Sequence, residues 1–168
     1  MTVFLWRIAT EPPHYEADDL SGAGAQATGG RWNRKGRPVI YTSTSIALAC
    51  LETVVHLATT DLPLNRFLVR ISVPQATWDA RKTLSVAELP VGWPAIPEGR
   101  VSLTIGDAWL AALSEPILLV PSVVVPEEFN ALLNPLHPLA AGLRAKKLRA
   151  WNYDGRLQMK GVSIRRNQ

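Results

Sequence analysis

The sequence predicts an α+β domain with a compact mixed β-sheet core and interspersed helices. Three observations carry this. Short apolar runs of strand character outnumber segments with helical periodicity. Thirteen prolines and eleven glycines divide the chain into short elements. The 168 residues are 47% apolar and 19% charged, a globular composition for a single domain large enough to bury a core. Strands dominate and helices interrupt them, which is the α+β pattern.

The elements follow in order. "VFLWRIA" (Val3–Ala9) reads as a first strand, stopped by "EPPHY". Leu20–Gly30 is small and flexible. "RPVIYT" (Arg37–Thr42) is a short strand whose proline restricts it to an edge or a strand start. Ser43, Thr44 and Ser45 are competent caps for a helix over Ile46–Thr59, with Ala47, Leu48, Leu51, Val54, Val55 and Ala58 on its apolar side. "RFLVRISVP" (Arg66–Pro74) is a clean strand. Leu84–Arg100 is proline-rich, a loop with one short helix. Ser102–Ser114 is helical, and "PILLVPS" (Pro116–Ser122) is a buried strand. Glu127–Leu133 reads as one or two helical turns, and Lys147–Asp154 as a last strand. The final ten or so residues read as a tail.

The formal charge is +4 and the sequence pI about 9.6. A modest basic excess suits a polyanion, a phosphate-bearing small molecule or an acidic protein. Cations cluster at Arg31–Arg37, at Arg144–Arg149 and at the C-terminus. No apolar run reaches the roughly 20 residues needed to span a bilayer, and the N-terminus does not read as a signal peptide. The lone Cys50 excludes an intramolecular disulfide and suits a reducing cytoplasm. His14, His56 and His137 show no metal-binding spacing, so no metal is expected.

Four positions stand out chemically. In "GGRWNRKGR" the glycines allow close backbone approach and the cations can clamp a phosphate, although neither GxxxxGK[ST] nor GxGxxG is present. Arg31 follows the glycine pair directly, whereas Arg34, Lys35 and Arg37 read as surface. A solvated turn explains the loop equally well. Glu52 lies at the edge of the helix's apolar arc, where it either borders a cleft or is an ordinary boundary glutamate. Tyr41 ends the strand that feeds this helix and can stack on a planar ring or simply pack. Ser122 ends an apolar run without a GxSxG elbow, which makes it a hydrogen-bonding serine or a turn residue.

In their order and spacing, "GGRWN", "GRPVIYTSTSIALACLETVVHL" and "VPSVVVPEEFNALLNPLHP" resemble the RES domain, a family named for its arginine, glutamate and serine. The resemblance runs from "WRIA" past "NPLHP". It implies an ADP-ribosyltransferase-like fold with a cleft for NAD. It also implies a toxin of a type II toxin–antitoxin pair that degrades NAD. The expected partner is an Xre-type DNA-binding antitoxin that covers the active site, with a homodimer within the complex and no nucleic-acid binding by this chain.

Carried over by position, the family's arginine falls on Arg31, its tyrosine on Tyr41, its glutamate on Glu52 and its serine on Ser122; Arg7 is a second phosphate-binding candidate. NAD is then a substrate whose nicotinamide–ribose bond is cut, with water (glycohydrolase) or inorganic phosphate (phosphorylase) as acceptor. The alternatives are ADP-ribosyl transfer to a macromolecule and a non-catalytic basic domain that binds nucleic acid.

Overall fold

A computed structural model describes residues 1–57 and 64–157. Its seven strands are β1 (Thr2–Thr10), β2 (Ile40–Ser43), β3 (Arg66–Pro74), β4 (Lys82–Thr83), β5 (Ile117–Pro121), β6 (Phe129–Leu133) and β7 (Arg144–Ala150). The helices are α1 (Ala23–Thr28), α2 (Ile46–Val54), α3 (Gln75–Asp79) and α4 (Arg100–Ala112). The strands form one sheet in the order β4-β5-β6-β2-β1-β3-β7. Only β4 and β5 run parallel; the other neighbours are antiparallel. The sheet is therefore mixed and the class α+β.

The ladder is not uniform. β1 pairs with β3 along its whole length, from Thr2 opposite Pro74 to Thr10 opposite Arg66. β2 pairs fully with β6. Between β1 and β2 the register holds at one point only, Trp6 opposite Ser43. The two halves of the sheet are joined in register at that point. A pocket of about 200 Å³ opens beside it, with Arg7, Tyr15, Tyr41 and Arg66 in its lining.

Successive side chains on a strand point to opposite faces, and residues opposite one another share a face. One face carries Leu5, Ile40, Val69, Ile71, Ile117, Ala131 and Leu133 in a continuous core across the sheet. The other face carries two separate cores. Leu118, Val120, Leu132 and Val39 pack with Trp32, Trp93 and Trp109 under α4. Ile8 and Leu68 pack with Ala49 and Tyr153 under α2. Ser43 and Asn130, opposite one another, lie on this second face between the two apolar groups.

Several expectations need correction. Glu127–Leu133 is not helical. Phe129–Leu133 forms β6, with β5 on one side and β2 on the other. The sheet overrides the weak helical preference of its Ala and Leu residues. The last strand begins and ends earlier than expected, at Arg144–Ala150. Leu20–Gly30 contains a short helix, α1. The Leu84–Arg100 segment is built of turns before α4 begins, and it buries Leu89 and Trp93. In α2 the buried residues are Leu48 and Ala49, while Leu51 and Val55 are exposed, so the helix is rotated from its expected apolar arc. Ala58 and Thr59, the end of the expected helix, and the C-terminal tail lie outside the described residues.

Candidate active site

The basic loop is a closed structure rather than a solvated turn. Gly29 has φ 72, a left-handed conformation that glycine adopts without strain. Gly30 must be small for a different reason: a Cβ there would lie 2.8 Å from the Tyr41 hydroxyl. Asn33, which is fully buried, organises the turn. Its Nδ2 donates to the carbonyls of Ala25 (2.9 Å) and Arg37 (2.9 Å), and its Oδ1 accepts from Tyr41 Oη at 2.8 Å. Tyr41 Oη in turn accepts from Trp32 N–H at 2.9 Å. The Tyr41 hydroxyl is thus committed to the loop, and burial pushes its pKa well up, which keeps it protonated. Its ring packs at the edge of the apolar group under α4.

Arg31 stands beside this anchor, half-buried. Its Nη1 donates to the carbonyls of Trp93 (3.0 Å) and Ala95 (2.9 Å). The Leu84–Arg100 segment is therefore latched to the loop, and Trp93 stacks on Trp32 with ring centroids 6.4 Å apart. Nε and Nη2 of Arg31 make no hydrogen bond to the described residues. Arg34 is not a free surface charge. It pairs with Asp107 on α4, whose carboxylate also accepts from Arg34 N–H at 3.1 Å. Lys35 and Arg37 are exposed, as expected.

Glu52 projects from the second turn of α2. That helix is capped by Ser45, whose Oγ accepts from Leu48 N–H at 3.1 Å. Ser43 and Thr44 do not cap it. Ser43 Oγ donates to Asn130 Oδ1 at 2.7 Å, and Thr44 bonds the carbonyl of Phe129. Asn130 Nδ2 donates to Glu52 Oε1. Glu52 is thereby tied to β6 and through it to β2. Tyr41 and Ser43 are two residues apart on β2 and share the face of Asn130, and Arg31 precedes Trp32, whose N–H bonds the Tyr41 hydroxyl.

Ser122 and Arg7 are placed differently. Ser122 is fully buried just beyond β5. Its Oγ accepts from Val124 N–H and Val125 N–H, both at 3.0 Å, closing the turn into β6. Arg7 lies on β1, and its Nη2 donates to the carbonyls of Ala17 and Asp19, each at 2.5 Å. Burial lowers its pKa, with Asp19 and Asp18 opposing the shift. It borders the pocket at the seam together with Tyr41. Asn33, Ser43 and Asn130 are the site residues that sequence reasoning missed. Reading "FNALL" as a strand against "IYTS" would have set Asn130 opposite Ser43.

A profile of the RES domain matches residues 4–155. The chain is 55% identical over 157 residues to a protein of Sphingobium sp. (strain YBL2) named "Prs ADP-ribosylating toxin", covering 94% of this chain and 98% of that one. It is 40% identical over 143 residues to "Toxin Res" of Pseudomonas putida, covering 82% and 88%. It is 37% identical over 135 residues to "Toxin Res" of Yersinia enterocolitica, covering 80% and 86%. These names are consistent with an ADP-ribosyltransferase-like fold. With the loop, the strand-to-helix unit and the β5–β6 turn all inside the matched span, this chain belongs to the RES domain family.

Proposed function

We propose that this chain is a toxin that consumes NAD by breaking its nicotinamide–ribose bond. The observation that carries the reading is the hydrogen bond between Glu52 and Asn130, which ties a helix carboxylate to β6 on the sheet face that also carries Tyr41 and Ser43. When the bond to C1′ breaks, nicotinamide leaves with the bonding pair and positive charge develops on the ribose. A fixed carboxylate stabilises that charge. The acceptor's lone pair then forms the new bond to C1′, and its proton passes to Glu52 or to solvent.

Arg31 offers Nε and Nη2 to the diphosphate, a bidentate fit for guanidinium. The Tyr41 ring packs on the ligand while its hydroxyl holds the loop. Arg7 is a second phosphate contact through Nη1, since Nη2 holds the Ala17–Asp19 segment. Ser122 serves the site by fixing the β5–β6 turn.

Water or inorganic phosphate as acceptor gives a glycohydrolase or a phosphorylase. A second reading, ADP-ribosyl transfer to a protein, is favoured by the 55% identity to a toxin named for ADP-ribosylation. An Xre-type antitoxin would cover the site, and the exposed Leu51 and Val55 on the outer side of α2 suit such a cover.

The test is incubation with NAD labelled in its adenylate half, with and without phosphate and with cell extract. Free ADP-ribose, ADP-ribose phosphate or labelled protein identifies the acceptor. Glu52→Ala and Arg31→Ala are expected to lower nicotinamide release at least 10²-fold, in the range of lost acid–base or charge-stabilising groups, with unchanged circular dichroism. Full activity in both variants would sink the assignment.

A further inference from the structure

We propose that Asn130 is a positioning residue that aims the Glu52 carboxylate, with Ser43 setting the direction of the Asn130 amide. This rests on the reading of Glu52 as the group that acts at the ribose. Asn130 lies on β6 opposite Ser43 of β2 and Val120 of β5. Its side chain therefore rises in the gap between the two apolar groups on that face. Both ends of the amide are engaged. Oδ1 accepts from Ser43 Oγ at 2.7 Å, and Nδ2 donates to Glu52 Oε1.

The orientation of the amide follows from its partners. Glu52 as a carboxylate only accepts, so the opposite amide orientation would set Oδ1 against Oε1, two acceptors facing each other. Ser43 supplies the hydroxyl donor that Oδ1 needs in the observed orientation. The amide thus has one favourable setting, and it presents N–H to the carboxylate.

This N–H is the only hydrogen bond to Glu52 among the described residues, and no cation lies within ion-pair distance of it there. A neutral donor orients a carboxylate without cancelling its charge, as a lysine or arginine would. It also occupies Oε1 and leaves Oε2 open. These are the requirements for a carboxylate that must face developing positive charge. The anchoring is long-range. A helix side chain is fixed by a strand 78 residues away in sequence.

The experiment measures kcat and KM for nicotinamide release by the full chain. Asn130→Ala is expected to lower kcat about 10- to 100-fold, the scale of a misplaced catalytic group, with KM changed less than about threefold because uniform binding is untouched. Ser43→Ala should show a smaller fall of the same type. Asn130→Asp sets a second carboxylate against Glu52. The pair then holds a proton to higher pH, and the acid limb of the kcat–pH profile should move up by about one unit.

The deciding measurement is a double-mutant cycle with Glu52→Gln. Once Glu52 is disabled, Asn130→Ala should cost nothing further. An equal fold-loss in both backgrounds would overturn the proposal, as would a loss confined to KM or an unmoved pH profile in Asn130→Asp. Full activity of Glu52→Gln alone would overturn the underlying reading instead, which separates the two failures. If Asn130→Ala does not fold, the near-isosteric Asn130→Asp and Ser43→Ala, which does not itself touch Glu52, carry the same decisions.

Discussion

Asn33 is fully buried, and its side-chain amide is satisfied at both ends within the loop. Asn33→Ala would leave the Arg37 carbonyl without its side-chain donor and the Tyr41 hydroxyl without its acceptor, while the Ala25 carbonyl keeps the Gly29 N–H. Each buried polar group left unsatisfied costs about 1–3 kcal/mol. The variant should lose about 3 kcal/mol in chemical denaturation and free Arg31 from its fixed position, so nicotinamide release should fall as well. Unchanged stability would show that the loop does not depend on this network. None of this was visible in "RWNRKGR", where the charges draw attention and a single asparagine carries no periodic or spacing signal. Arg31, Tyr41 and Glu52 were legible because their residue types match a chemistry and a family order. Ser43 and Asn130 were not, because their meaning arises only once β2 and β6 are in register.

At the scale of elements, α4 and the basic loop meet backbone to backbone at Gly106. A Cβ there would lie 1.8 Å from the Trp32 carbonyl oxygen. No rotamer change relieves an overlap with a carbonyl, so Gly106→Ala must push the loop away from the helix. Overpacking of this kind costs about 3 kcal/mol, or roughly 6–12 °C in Tm for a domain of this size. Thermal melting checks it, and an unchanged Tm would deny the close approach. Gly106 reads from the sequence only as a blemish in an otherwise helical run.

β7 is tied to the segment after β1 by Lys147, which donates to Glu11 (2.6 Å) and Glu16 (2.9 Å). The Lys147 bond, followed by one from Ala17 N–H, lowers the Glu11 pKa from its ordinary 4.5. A depressed carboxylate pKa stabilises the fold above the unfolded value and loses that contribution as pH falls through the folded one. Lys147→Ala should therefore flatten the part of the acid denaturation curve below about pH 4.5; a curve superposable on the parent's would count against the tie. Strands β1, β3 and β5 were legible from their apolar runs and proline stops. β6 was not, because Ala and Leu favour helices and only its two neighbours make it a strand.

The whole molecule is two sheet halves joined side by side at Trp6 and Ser43, with separate apolar cores above the seam and a common one below. The proposed ligand contacts come from both halves. Arg31 and Tyr41 belong to the β2 half, Arg7 to the β1 half, and Glu52 rides on α2, which packs over β1 and β3 yet bonds to β6. A ligand that touches Arg31, Tyr41 and Glu52 braces a junction that the backbone ladder leaves weak. Binding to the native state alone adds RT ln(1 + [L]/Kd), about 2.7 kcal/mol at a hundredfold excess over Kd. For a domain of this length that corresponds to roughly 5–10 °C in Tm. Glu52→Gln keeps the side-chain shape and should bind NAD without consuming it, so NAD is expected to raise its Tm by that amount. Adding Arg31→Ala should abolish most of the rise, because the diphosphate then loses its bidentate partner. Hydrogen exchange on the same complex should slow in β1 and β2 together, since both strands flank the seam. Slowing in only one of them would place the ligand within one half and remove it from the junction.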